Sequence, residues 1–148
     1  MTVLMLASLA QAAVAEVPMP AKTSLFFQCQ VRAPDDSAMH ELNVAYFSQP
    51  PAGTRGFNLR DPDAILPLSA KPKLANAWPT TVVITFEDAS SSARLAATAF
   101  QPIWGSSGRA TIAVDRNPPA TGGATHFSGE CGYSEGDAAE KQFLELTQ

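Results

Sequence analysis

Residues Thr23–Arg32, TSLFFQCQVR, alternate between two kinds of side chain. One parity carries the apolar set Leu25, Phe27, Cys29 and Val31. The other parity is mostly polar, as at Gln28 and Gln30. Because successive side chains of a β-strand point to opposite faces, this period of two predicts a strand with one buried face.

The same alternation recurs along the rest of the chain. Further strands are predicted around Leu42-Val44-Tyr46, Val82-Ile84-Phe86, Leu95-Ala97-Ala99, Ala110-Ile112-Val114 and Ala124–Cys131, with shorter ones at Phe57–Arg60 and Ala64–Leu68. Stretches rich in Gly, Pro and Ser separate them and supply turn chemistry. About six to eight short strands predict an all-β antiparallel barrel or sandwich.

Two segments fit this pattern less well. Lys71–Pro79 contains two prolines and Trp78, and it is predicted to be an ordered crossover loop. Near the end, Asp137 stands three residues before Glu140 and an apolar group follows, which favours a short capped helix. A final strand or a frayed tail over residues 137–148 is the alternative.

The first fifteen residues carry no charged side chain and end in small residues before Glu16. This pattern predicts a signal peptide over residues 1–15, cleaved after Ala15. A membrane anchor would need about twenty apolar residues, and Gln11 and Pro18 interrupt the stretch too early. We therefore expect a periplasmic or secreted protein without a membrane anchor, and a single β-rich domain over residues 16–148.

The chain of 148 residues has two cysteines, Cys29 and Cys131. Exported chains with an even number of cysteines usually pair them, so one disulfide is predicted. Buried free thiols and a redox-active pair are weaker alternatives, because catalytic disulfides favour a Cys-x-x-Cys spacing. The bridge would join the first strand to the last, and in a barrel it would staple the closing seam.

The formal net charge is −4, and the Lys and Arg residues are scattered. Phosphate binding needs clustered cations, so no nucleic-acid partner is expected.

No residue pattern predicts a metal, a cofactor or a catalytic centre. His40 and His126 have no carboxylate or cysteine beside them at metal-ligand spacing. The acidic pair at Asp61 and Asp63 is interpreted as solvated turn carboxylates, because the loop lacks the oxygen-rich ligand sequence of a calcium site.

Serine chemistry has little support, since no serine sits in a Gly-x-Ser-x-Gly elbow. A triad of Ser107, His126 and Asp115 can be drawn on paper, but only geometry would establish it. We predict that the protein is not an enzyme, with a hydrolase as the remaining catalytic alternative.

Trp104 and Trp78 lie next to turn residues, where indole rings sometimes stack on ligands. In small β-domains such a ring more often caps the core, with its N–H bonded to a carbonyl. If either ring binds a ligand, Trp104 is the preferred candidate and Trp78 is the second.

Ala110–Arg116 is followed by a Gly-bearing turn and by Phe127-Ser128-Gly129-Glu130-Cys131, and the opening strand carries Phe27-Gln28-Cys29. In these two regions the chain resembles small exported bacterial β-proteins of uncharacterised function with one Cys pair. It is more faintly similar to periplasmic C-type lysozyme inhibitors, small disulfide-bonded barrels that act through a protruding loop. The Ser-Gly-x-x-Tyr and Phe-Trp-x-Lys-Gly elements of those inhibitors are absent here.

The sequence thus favours a monomeric, non-catalytic binding module of the bacterial envelope. Its partner would be an envelope protein, a glycan or a small molecule. The alternatives are a β-barrel that carries a small ligand and a periplasmic inhibitor of a hydrolase such as lysozyme.

Overall fold

The computed structural model describes residues 21–35, 37–66, 71–77, 80–104, 107–117, 119 and 124–147. Its elements are β1 (Ser24–Arg32), β2 (His40–Phe47), β3 (Phe57–Arg60), β4 (Lys71–Ala77), β5 (Thr81–Glu87), β6 (Ser92–Ala99), β7 (Gly108–Asn117), β8 (His126–Glu135) and α1 (Gly136–Leu146). The predicted all-β class with a C-terminal helix is confirmed. The signal peptide predicted over residues 1–15 lies outside the described residues.

The eight strands form one antiparallel sheet in the order β3-β2-β1-β8-β7-β6-β5-β4. The sheet curls into a nearly closed barrel, which favours the barrel over the sandwich. Its two edge strands are β3 and β4, and within the described part of the chain they form no ladder with each other. We call the gap between these two edges the seam.

The inner face of the sheet holds the main core. Leu25, Phe27 and Val31 of β1 point inward, as their alternation predicts, and each is at most 1% exposed. They pack with the inward side chains of the other strands in one cluster. The alternation of apolar and polar residues is thus the signature of one face of a barrel filled by side chains.

A second, smaller core lies outside the barrel, under α1. Phe26, Ala45 and Phe47 point outward from β1 and β2 and are nevertheless buried, because Ala139 and Phe143 of α1 cover them. The ring of Phe143 meets those of Phe26 and Phe47 edge-on, at centroid distances of 5.6 and 5.5 Å. Ala139 and Phe143 are four residues apart, which places both on one face of the helix.

Loops carry apolar side chains at the two ends of the barrel. Ile65 and Leu66 follow β3 and are 2% and 0% exposed. Ile103 and Trp104 follow β6 at the opposite end and are also buried. These buried loop residues extend the core beyond the strands that enclose it.

Three local predictions are corrected by the structure. Lys71–Ala77 is a strand rather than a crossover loop, because a proline is tolerated on an edge strand, where one backbone side is unpaired. The described residues 64–66 form no strand, and Ala64 has a positive φ of 52°. The helix begins at Gly136 after Glu135, without a side-chain cap, so Asp137 lies in its first turn instead of capping it.

The disulfide between Cys29 and Cys131 is present, as predicted. The two residues lie directly opposite each other on β1 and β8, with their Cα atoms 4.0 Å apart. These strands are neighbours in the middle of the sheet order, whereas the seam lies between β3 and β4. The bridge therefore joins the two ends of the chain but does not close the seam, and that part of the prediction is wrong.

Candidate functional site

Trp104, the preferred ligand-binding residue of the sequence, is 5% exposed and belongs to the inner core. Its indole Nε1 is buried and has no hydrogen-bond partner in the described structure. Its ring is therefore not an open stacking surface, and a binding role for it stays a prediction. Trp78, the other candidate, lies outside the described residues.

The residues of the hypothetical catalytic triad, Ser107, His126 and Asp115, do not lie together in the structure. His126 and Asp115 face each other across β7 and β8, with Nδ1 and Oδ1 2.7 Å apart. Ser107 precedes the other end of β7, eight residues away, which is roughly 26 Å along a strand. The exposed His126–Asp115 pair thus has no access to the Ser107 hydroxyl.

The loop after β3 is tied down by polar contacts. The carboxylate of Asp61 accepts hydrogen bonds from the backbone N–H groups of Ile65 and Leu66, at 2.9 and 2.7 Å. Arg116 Nη1 donates to the carbonyl oxygens of Ala64 and Ile65, each at 2.8 Å. Asp61 therefore acts in the structure of the loop, which corrects its interpretation as a solvated turn carboxylate.

Burial raises the pKa of the Asp61 carboxyl above its ordinary value, although the two backbone N–H groups oppose the shift. In the same loop Asp63 pairs with His40, with Oδ2 and Nδ1 3.0 Å apart. No group of three His, Cys, Asp or Glu side chains among the described residues could hold a metal ion. None of the helices found in those residues is both long and apolar enough to cross a membrane.

A pocket of about 450 Å³ opens along β3 at the seam. We call it the seam pocket. Its described lining consists of Val44, Arg55, Phe57, Asn58, Leu59, Arg60, Pro72, Phe86, Phe143 and Thr147. The volume lies within the roughly 300–1,000 Å³ of typical small-molecule sites.

The lining of the seam pocket combines apolar side chains with two cations. Phe57 and Leu59 lie on β3, and Pro72 lies on β4 across the seam, so the pocket exists because the two edges do not pair. Arg55 and Arg60 are its charged members, and no acidic residue is found in its described lining. An apolar wall with positive charge beside it suits a ligand that has an apolar body.

The backbone beside the pocket is held in place. Asn58 Nδ2 donates to the carbonyl oxygen of Arg55 at 2.6 Å, and the N–H of Arg55 donates to Asn58 Oδ1 at 3.1 Å. The N–H of Phe47 donates to the carbonyl oxygen of Gly56 at 2.8 Å. The short turn that enters β3 is therefore ordered before any ligand arrives.

A second depression of about 750 Å³ lies on the outer face of β1, β2 and β8, beside the end of α1. We call it the outer groove. It is lined by Gln28, Cys29, Gln30, Arg32, Met39, Glu41, Asn43, Arg109, Ser128, Gly129, Glu130, Cys131, Gly132 and Leu146. Its side chains are mostly polar, and Arg109 and Glu130 form an ion pair of 2.8 Å across it.

The sequence did not predict either depression. Leu59 was visible only as one apolar position in a short strand, and Arg55 only as one scattered cation. What brings them to one pocket is the position of β3 at the edge of the sheet, which depends on the order of strand pairing. A short strand that carries Phe57 and Leu59 beside two arginines was the available signal.

No protein-family model matches the chain, and neither a curated protein nor a solved structure is detectably similar to it. The site must therefore be interpreted from its own geometry.

Proposed function

We propose that the protein is an exported, non-catalytic binding module whose ligand is a small molecule with an apolar body, and that the ligand occupies the seam pocket. One observation carries the proposal: the barrel opens at the seam, and the opening exposes inner-face apolar side chains in a pocket of about 450 Å³. If each non-hydrogen atom of a ligand takes the roughly 30 Å³ that one water molecule occupies in the liquid, the pocket holds about 15 such atoms. Export is supported by the N-terminal sequence pattern and by the disulfide.

The edges of the seam favour a small molecule over an added peptide strand. β3 has only four residues, and β4 carries Pro72 between Lys71 and Lys73. β4 also has an irregular register between Leu74 and Asn76. Short edges, prolines, lysines and bulges hinder pairing with another strand, so recognition there has to run through side chains.

The exposed apolar side chain of Leu59 fits the same proposal. Leu59 is 37% exposed although it shares a face with the half-buried Phe57. A ligand in the pocket would cover it, and burial of apolar surface is the main driving force for such binding.

The chain offers a matched pair of variants for a test. Leu59 lines the seam pocket and Leu146 lines the outer groove, and both are 37% exposed. The probe is decanamide, a neutral amphiphile of 12 non-hydrogen atoms, followed by chemical shifts of backbone amides. We expect Leu59→Trp to fill the pocket and weaken decanamide binding at least tenfold, while Leu146→Trp leaves the affinity unchanged.

Three results would contradict this proposal. One is that neither decanamide nor decanoate, a carboxylate with the same number of non-hydrogen atoms, binds the oxidised wild-type protein at the solubility limit of the probes. The second is equal affinity in the wild type and the Leu59→Trp variant, provided that both are folded. The third is loss of binding in the Leu146→Trp variant alone, which would move the site to the outer groove.

The outer groove supports a second candidate function, the binding of a polypeptide or glycan partner. Met39 is 52% exposed at this groove and Leu146 borders it as well, so two apolar side chains flank a polar surface. Exposed apolar side chains that lie near one another can mark a surface that binds a partner. A Met39→Ser variant that loses an envelope partner retained by the wild type in pull-downs would support this candidate, and retention would count against it.

A further inference from the structure

We propose that the ligand of the seam pocket is a monoanionic amphiphile, a medium-chain carboxylate, and that the guanidinium of Arg55 binds its head group. This inference rests on the proposed function, since it names the chemical class of the ligand that the same pocket takes. It depends on where the charges around the pocket lie and on which of them are already paired.

The two cations of the pocket differ in their surroundings. Arg60 Nε lies 3.6 Å from Glu41 Oε1, so its charge is partly neutralised by a neighbour on β2. The guanidinium of Arg55 makes no ion pair or hydrogen bond with any side chain in the described part of the chain. Arg55 is therefore the cation that remains for an external anion.

The backbone of Arg55 is held in place although its guanidinium has no charged partner among the described residues. Asn58 bonds both the N–H and the carbonyl oxygen of Arg55, which holds the start of this side chain beside the pocket. Guanidinium groups match carboxylates with two parallel N–H donors. Binding costs less conformational entropy when the backbone of the recognition residue is already in place.

The charge around the seam also differs from that of the whole chain. The formal net charge of the protein is −4, yet the described lining of the seam pocket has two cations and no acid. On β4, across the seam, Lys71 and Lys73 are exposed, and Lys71 lies opposite the exposed Glu87 of β5 while Lys73 lies opposite Thr85. An anionic head group at this opening is therefore favoured over a neutral or cationic one.

Size and polarity define the ligand class. The pocket of about 450 Å³ accepts an apolar chain of about ten carbons, and its apolar lining includes Phe57, Leu59 and Phe86. Apolar atoms of the chain would cover these side chains while the carboxylate stays at the rim, near water. A free medium-chain carboxylate satisfies both requirements.

The test compares decanoate with decanamide, which has the same number of non-hydrogen atoms and no charge. Both are titrated into the oxidised full-length mature protein at pH 8 and low salt, by calorimetry or by amide chemical shifts. We expect decanoate to bind about tenfold more tightly than decanamide, because a charge-assisted hydrogen bond is stronger than a neutral one. Salt should reduce this preference.

Arg55→Gln is the informative variant, and Arg94→Gln on β6, outside the seam-pocket lining, is its matched control. Arg55→Gln should weaken decanoate binding about tenfold and leave decanamide binding unchanged. Arg94→Gln should change neither. Since the contacts that Arg55 makes with other described residues run through its backbone groups, the variant is expected to fold like the wild type.

The outcomes separate this inference from the proposed function. If neither probe binds the wild type, the seam pocket is not a site for small apolar ligands and the proposed function fails. If both probes bind with equal affinity, or if Arg55→Gln keeps the preference for decanoate, the pocket binds apolar ligands but the anion inference is overturned. If the wild type prefers decanoate over decanamide and Arg55→Gln abolishes that preference, both the proposed function and the anion inference are supported.

Discussion

Removal of the disulfide tests how the two ends of the chain contribute to stability. Cys29 and Cys131 are separated by 102 residues in sequence and lie opposite each other on neighbouring strands. For a loop of that length, the chain-entropy model gives about 4.7 kcal/mol at 25 °C, through restriction of the unfolded chain. Since unfolding entropy is about 2.1 cal/mol/K per residue, a domain of about 130 residues should lose roughly 17 °C in Tm.

The assay is thermal and urea unfolding of the wild type in oxidising and reducing buffer, beside the double variant Cys29→Ala/Cys131→Ala. Reduction should lower the Tm of the wild type by the stated amount and leave that of the double variant unchanged. The urea m-value should rise on reduction, because the unfolded chain then exposes more surface. A fall in Tm of less than about 5 °C in both the reduced wild type and the double variant would show that the disulfide does not stabilise the fold by restricting the unfolded chain.

Three further predictions concern packing and charge. At Gly129 an added Cβ would overlap the backbone of the neighbouring strand, whereas at Gly132 it would meet nothing within 4 Å. Urea unfolding should therefore show that Gly129→Ala lowers the free energy of unfolding by more than about 3 kcal/mol and Gly132→Ala by less than about 1 kcal/mol. Equal losses would contradict the register between β1 and β8. Phe143→Ala should lower the free energy of unfolding by about 2–3 kcal/mol and speed amide exchange in α1, while Phe100→Ala, at a site 83% exposed, should have little effect. Unchanged, slow amide exchange in α1 of the Phe143→Ala variant would disprove the packing of Phe143 against the barrel. Because burial raises the pKa of Asp61, the folded state binds more protons than the unfolded state between the two pKa values, so this carboxyl makes stability fall as pH rises through that window. Asp61→Asn should remove that part of the wild-type pH profile, and an identical profile would show that the carboxyl is not desolvated.

Local alternation was sufficient to predict most strands. Leu25, Phe27 and Val31 point into the barrel because a period of two matches the pleat of a strand. β4 was missed because Pro72 and the lysines beside it resemble a loop in sequence. The same residues are favoured on an edge strand, where they discourage pairing with other chains, and the edge position follows only from the order of the sheet.

The outer core explains an irregularity of the opening strand. Phe26 is an apolar residue on the mostly polar parity of β1. It is buried because Phe143 of α1 covers it, together with Phe47 at the end of β2. Apolar residues on the polar parity of β1 and β2, with Ala139 and Phe143 four residues apart, would have been the signal for a helix packed outside the barrel.

The candidate site was beyond local sequence reasoning for a physical reason. The seam pocket combines Leu59 on β3 with Pro72 on β4, and both residues line it because the sheet curls until its two edge strands lie on either side of the seam. That closure depends on every pairing between them. The sequence analysis instead selected the two tryptophans as candidate ligand-binding residues. Trp104 lies in the core of the barrel.

Intermolecular nuclear Overhauser effects would show whether a small amphiphile binds at the seam. The measurement uses decanoate with the isotope-labelled oxidised protein. We expect contacts from the protons of the decanoate chain to the side chains of Phe57, Leu59 and Phe86. Contacts to Met39 and Leu146 instead, or none with a saturating concentration of decanoate, would contradict binding at the seam.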